Sequence, residues 1–90
     1  MVSKQTVIVN QTGLHARPAS DFVQRAKTFE SKITIRKLGE TSEPVSAKSI
    51  IRLLGEGMGQ GTGVEIVAEG PDEQAPVETL VALVESGFGE

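Results

Sequence analysis

The sequence predicts a small α+β domain in which helices cover one face of a four-stranded antiparallel sheet. Three observations predict it. Apolar residues recur at spacings of three and four in two stretches, they alternate with polar residues in others, and glycine or proline turns separate the stretches. The resulting order is β-α-β-β-α-β-α. Ninety residues leave room for one core, so residues 1–90 are read as a single domain.

The first strand is Lys4–Val9 (KQTVIV), rich in β-branched residues. Between Ala16 and Phe29, the residues Ala19, Phe22, Val23, Ala26 and Phe29 form the stripe of an amphipathic helix. Ser31–Lys37 (SKITIRK) alternates, placing Ile33 and Ile35 on one face of a half-buried strand. LGETSEP (38–44) reads as a turn region. Val45–Ala47 reads as a short edge strand, its ladder limited by Pro44. Ser49–Leu54 (SIIRLL) is a short apolar helix with Ser49 as its N-cap. After the glycine-rich GEGMGQGTG (55–63), Val64–Glu69 alternates as a strand. Gly70-Pro71-Asp72 then turns the chain, and Asp72 is expected to cap a last helix carrying Val77, Leu80, Val81 and Val84. Pro76 falls in that helix's first turn, where its missing N–H costs little.

Composition excludes several function classes. With no cysteine there is neither a disulfide framework nor a thiolate metal centre, and one histidine leaves a zinc site to carboxylates, so no metal or cofactor is expected. MVSKQTVIVN lacks the apolar run of a signal peptide, and nothing approaches membrane-spanning length. The expectation is a cytoplasmic protein without membrane insertion. Net charge is −3 but uneven: residues 1–45 hold seven Lys/Arg against four Asp/Glu, and residues 46–90 hold two against eight. That acidic half and the mere three aromatic residues, all Phe, argue against nucleic acid as a partner. The positive half suits an anionic group or an acidic partner surface.

The only histidine, His15, lies in GLHARPA (13–19). Gly13 can take backbone angles closed to other residues, and Pro18 favours a first helical turn, so His15 falls at or beside an N-cap. The free N–H groups there carry the positive end of the helix dipole and would meet an anion attached to the ring. Ala16 lies at that helix start, Arg17 can reach the same anion with its fork of donors, and Thr12 can add a hydroxyl or cap the turn. Together these point to a phosphorylated imidazole. The plainer alternative is a solvated surface histidine or an imperfect cap. Ser49 likewise reads as a cap or as a modification site, and Ile50, Ile51 and Leu54 as an exposed docking patch or as core.

The run T-G-L-H-A-R-P-A (12–19) resembles the active-site signature of the HPr family, the histidine-containing phosphocarriers of the bacterial phosphoenolpyruvate:sugar phosphotransferase system. Lys48-Ser49-Ile50-Ile51 resembles that family's regulatory serine segment. The resemblance spans essentially the whole chain and implies an HPr-like open-faced β-sandwich with three helices on one face of the sheet. It implies that His15 accepts a phosphoryl group at Nδ1 from phosphorylated enzyme I and passes it to EIIA components in sugar uptake. Arg17 would steady the phosphate, with Thr12 and Ala16 in support. It further implies that a dedicated serine kinase/phosphorylase acts on Ser49, promoting binding to a catabolite repressor. Such a protein is a stoichiometric carrier and not an enzyme in itself, docks transiently and is expected to be a monomer. A rival reading is a regulatory module of the same fold that signals only through Ser49. An unrelated α+β enzyme lacks a recognisable catalytic set.

Overall fold

The computed structural model describes residues 1–39 and 43–89. Its elements are β1 (Val2–Val7), α1 (Ala16–Ala26), β2 (Lys32–Lys37), β3 (Val45–Ser46), α2 (Ile50–Gly55), β4 (Gly63–Glu69) and α3 (Gln74–Glu85), followed by a tight turn, Gly87–Gly89, whose residues all have positive φ. The strands form one antiparallel sheet in the order β1-β4-β2-β3. The class and element order are those the periodicity predicts. Part of the connection between β2 and β3, residues 40–42, lies outside the described residues.

β4 lies between β1 and β2 and alternates cleanly. Val64, Ile66 and Ala68 are fully buried and their neighbours are not. Register carries that face across the sheet, with Ile35 opposite Ile66, Ile33 opposite Ala68 and Thr6 opposite Val64. Phe22 of α1, Leu53 of α2 and Leu80 of α3 close the core from the other side. The opposite sheet face is polar, and Arg36 Nε donates to Glu65 Oε1 at 2.9 Å across the β2–β4 register.

Two elements, β1 and α1, differ from their expected bounds by two residues or more at an end; β2, β3, α2 and β4 differ by one. β1 spans Val2–Val7 and not Lys4–Val9, because β4 begins at Gly63, the partner of Val7. Ile8 still exchanges bonds with the loop before β4: its N–H donates to Thr62 O at 2.9 Å and its carbonyl accepts from Gly61 at 2.7 Å. α1 stops at Ala26, three residues before Phe29. There Thr28 turns both its N–H (3.1 Å) and its hydroxyl (2.7 Å) onto the Arg25 carbonyl, tightening the last turn. Phe29 nevertheless packs against the core, half-buried.

The role expected of Asp72 is corrected. Glu73 holds the N-cap position of α3 and no side chain caps that helix. The Asp72 carboxylate instead accepts from the backbone N–H of Glu30 (3.0 Å) and of Ser31 (2.9 Å), and from the Ser31 hydroxyl. Gly70 brings the two segments together: a Cβ there would lie 2.8 Å from Ser31 Oγ. The turn before α3 is thus tied to the junction of α1 and β2, 41 residues away. The Ser31 hydroxyl and then the Glu30 N–H hold the Asp72 carboxyl below the usual carboxylate range. A carboxyl depressed in the folded state stabilises fully above its unfolded value of about 3.9 and loses that contribution as pH falls through the lower folded value. Asp72→Ala is therefore expected to lower the urea midpoint at pH 7. The gap from the native chain should begin to narrow below about pH 4 and go on closing as pH falls through the lower folded value, in paired denaturation curves.

Candidate functional site around His15

His15 is the N-cap of α1, with extended angles (φ −132°, ψ 162°). The His15 side chain makes no cap bond, and the first turn of the helix contains no acidic residue to offset the positive end of its dipole. Ala16 follows with φ 52°, in the left-handed region, at a cost of about 1–2 kcal/mol for a residue with a Cβ. Such conformations collect at functional sites. Helix geometry leaves the first backbone N–H groups without intrahelical acceptors. Pro18 has none to offer, so Ala16 and Arg17 supply the free donors beside the ring. His15 is half-exposed, while Ala16 and Arg17 are exposed. Among the described residues the Arg17 guanidinium forms no ion pair.

Behind the imidazole the loop is tightly held. Gly13 has φ +67°, and a Cβ there would lie 2.5 Å from Met58 O and 2.6 Å from Gly59 Cα. Leu14 N–H donates to Met58 O at 2.8 Å, and both side chains are fully buried. Buried Asn10 donates through Nδ2 to the Gly13 carbonyl (2.9 Å) and to Thr12 Oγ1 (3.3 Å). Thr12 therefore belongs to the turn that presents His15. Asn10 and Met58 hold the His15 loop through these bonds, and sequence reasoning missed both. An Asx residue ahead of Thr-Gly was the one local signal for Asn10.

Ser49 is the N-cap of α2, as expected, its hydroxyl accepting from Arg52 N–H at 3.3 Å. Leu53 alone of the helix is buried, whereas Ile50, Ile51 and Leu54 are 36%, 82% and 41% exposed. Those three side chains form an outward apolar patch on a helix that packs against α1. A concavity of about 970 Å³ on the far sheet face is lined by Lys32, Thr34, Ser46, Ser49 and Arg52 among others. Neither it nor a smaller one between α1 and α3 includes His15. Among the described residues no three His, Asp or Glu side chains gather as a metal site, and no helix is long and apolar enough to cross a membrane.

The family model described as the PTS HPr component phosphorylation site matches residues 2–86, nearly the whole chain and all of the His15 site. The chain belongs to the HPr family. Phosphocarrier protein HPr of Haemophilus influenzae is 46% identical over 84 residues, which is 93% of this chain and 95% of that protein. The HPr-like protein Crh of Halalkalibacterium halodurans is 45% identical over 85 residues, 94% of this chain and 98% of the relative. The chain also matches a Multiphosphoryl transfer protein of Haemophilus influenzae at 43% identity, spanning only 17% of that protein. The crystal structure of HPr-C-His from Thermoanaerobacter tengcongensis has a TM-score of 0.93 at 44% identity, covering 100% of this chain and 98% of the other. The four-stranded sheet with its three helices is therefore the HPr fold, and membership implies phosphoryl transfer within the phosphotransferase system.

Proposed function

We propose that the whole chain is one phosphocarrier domain that receives a phosphoryl group on His15 from phosphorylated enzyme I and delivers it to EIIA components during sugar uptake. The observation that carries this reading is the acid-free helix start at His15, with Arg17 exposed two residues on. The Nδ1 lone pair attacks phosphorus as the bond from phosphorus to the donor's nitrogen breaks. In the onward step the acceptor's nucleophile takes the group and Nδ1 recovers its lone pair. The reaction demands little of the protein beyond alignment and charge neutralisation. Free N–H groups of the first helical turn and the Arg17 guanidinium meet those demands. A partly exposed ring flanked by exposed Ala16 and Arg17 can face two protein partners in turn. The carrier acts as a cytoplasmic monomer, with no cofactor and no chemistry of its own beyond the relay.

Arg17→Ala is expected to slow phosphoryl acceptance about 10- to 100-fold in single-turnover assays, since hydrogen bonds to charged groups contribute about 1.5–3 kcal/mol. Ile50, Ile51 and Leu54 form the docking patch. Ile51→Ala, at an 82% exposed position, should leave stability within about 0.5 kcal/mol. It should raise the KM for phosphorylated enzyme I about tenfold, as expected of an exposed apolar anchor. Ser49 is the regulatory site, phosphorylated by a serine kinase and read by a catabolite repressor. Two observations support it: the partly exposed N-cap hydroxyl, and the likeness to the solved Bacillus subtilis catabolite repression protein Crh, at 40% identity. Added negative charge beside the docking patch would repel an acidic partner.

The test of the relay is sequential transfer. Incubation with phosphoenolpyruvate and enzyme I should load the chain, and addition of an EIIA protein should unload it. Loading without delivery to any EIIA, together with efficient Ser49 phosphorylation, would make the chain a regulatory module instead.

A further inference from the structure

Residues 58–62 run beside residues 8–14 and are bonded to them repeatedly. Thr62 O accepts from Ile8 (2.9 Å), Gly61 N–H donates to Ile8 O (2.7 Å), Gln60 Nε2 donates to Val9 O (3.1 Å) and Met58 O accepts from Leu14 (2.8 Å). The last of these is the contact nearest His15 in the chain, one peptide before the ring. It is also the most confined. Met58 and Leu14 are 0% exposed, and Gly13 approaches Met58 O and Gly59 Cα so closely that no side chain fits between them. The same segment continues from α2, which ends at Gly55 three residues before Met58. The helix that carries Ser49 and the apolar patch therefore leads straight into the carbonyl that holds the His15 loop.

We propose that Met58 is a positioning residue for phosphoryl transfer, its backbone carbonyl fixing through Leu14 N–H where the His15 imidazole starts. The proposal rests on His15 being the phosphoryl acceptor. The group touches neither phosphate nor partner. It acts by confining a loop that otherwise contains a left-handed glycine at 13 and a left-handed alanine at 16. Alignment is most of what this reaction needs, and a misplacement of about 1 Å costs on the order of 100-fold. The contact is made by backbone atoms, so side-chain chemistry at 58 matters only as a buried plug that keeps the carbonyl in place.

The experiment is a full-length chain made by chemical synthesis with the amide N–H of Leu14 replaced by an ester oxygen, alongside Met58→Leu. The ester chain should accept phosphate from phosphorylated enzyme I about 10- to 100-fold more slowly at saturation, with KM changed less than twofold. Its His15 ring resonances should shift in the free protein. Met58→Leu, which keeps the carbonyl and fills the space, should match the native chain in both. An ester chain that melts earlier yet keeps the native saturating rate and native ring resonances would overturn the proposal, reducing the contact to a structural one. If the native chain itself takes no phosphate, the relay reading falls. The ring resonances still decide positioning: unshifted signals in the ester chain overturn it as well.

Discussion

His15→Ala is expected to abolish acid-labile phosphorylation by phosphoenolpyruvate and enzyme I while leaving the fold intact. The loss should be complete and not graded, because the chain has no second histidine and no cysteine to take over as acceptor. The fold should survive because the ring lies outside the fully buried core and makes no side-chain cap bond. Stability should fall by about 1 kcal/mol, the centre of the range for single substitutions, since no cap bond is broken. Phosphate incorporation and a urea curve on the same sample separate the two outcomes. A variant that loses phosphate only because it unfolds would show it in the second.

Gly13→Ala should produce the opposite pattern, a large loss of stability. At φ +67° an alanine costs about 1–2 kcal/mol. Its Cβ would fall 2.5 Å from Met58 O and 2.6 Å from Gly59 Cα, both backbone atoms that cannot rotate away. Forcing an extra carbon into a packed site adds about 1–3 kcal/mol. The expected loss is about 2–5 kcal/mol, which for a domain of this size lowers Tm by roughly 10 °C or more. Gly59→Ala is the matched control in the same loop. Nothing lies within 4 Å of a Cβ there and its φ is not positive, so the change should stay within about 1 kcal/mol. Equal destabilisation by both would mean that loop entropy and not the close approach governs this region.

These two positions also mark what was legible in the sequence. His15, Arg17 and the helix start are consecutive, so spacing and residue chemistry were enough to place them together. The Val64–Glu69 and Ser31–Lys37 alternations gave the buried sheet face for the same reason: a period of two needs only local residues. The contacts that sequence missed are those between distant segments. Met58 holds Leu14 across 44 positions of chain, and Asp72 serves Ser31 instead of its own helix. A capping rule reads Asp72 as a helix start because it sees only the next few residues. Gly70 lying against Ser31 decides otherwise. The docking patch falls between these cases. The pattern SIIRLL could not say which apolar residue is core, and packing against α1 and the sheet selected Leu53, leaving Ile50, Ile51 and Leu54 outside.

The most direct test of the account is to load the native chain with phosphoenolpyruvate and enzyme I and to map the phosphate by phosphorus NMR and peptide mass. The account predicts one phosphoryl group, bonded to Nδ1 of His15, lost in acid and kept in alkali. Acid-stable phosphate on a hydroxyl, or a fully folded chain that takes up none, would contradict it.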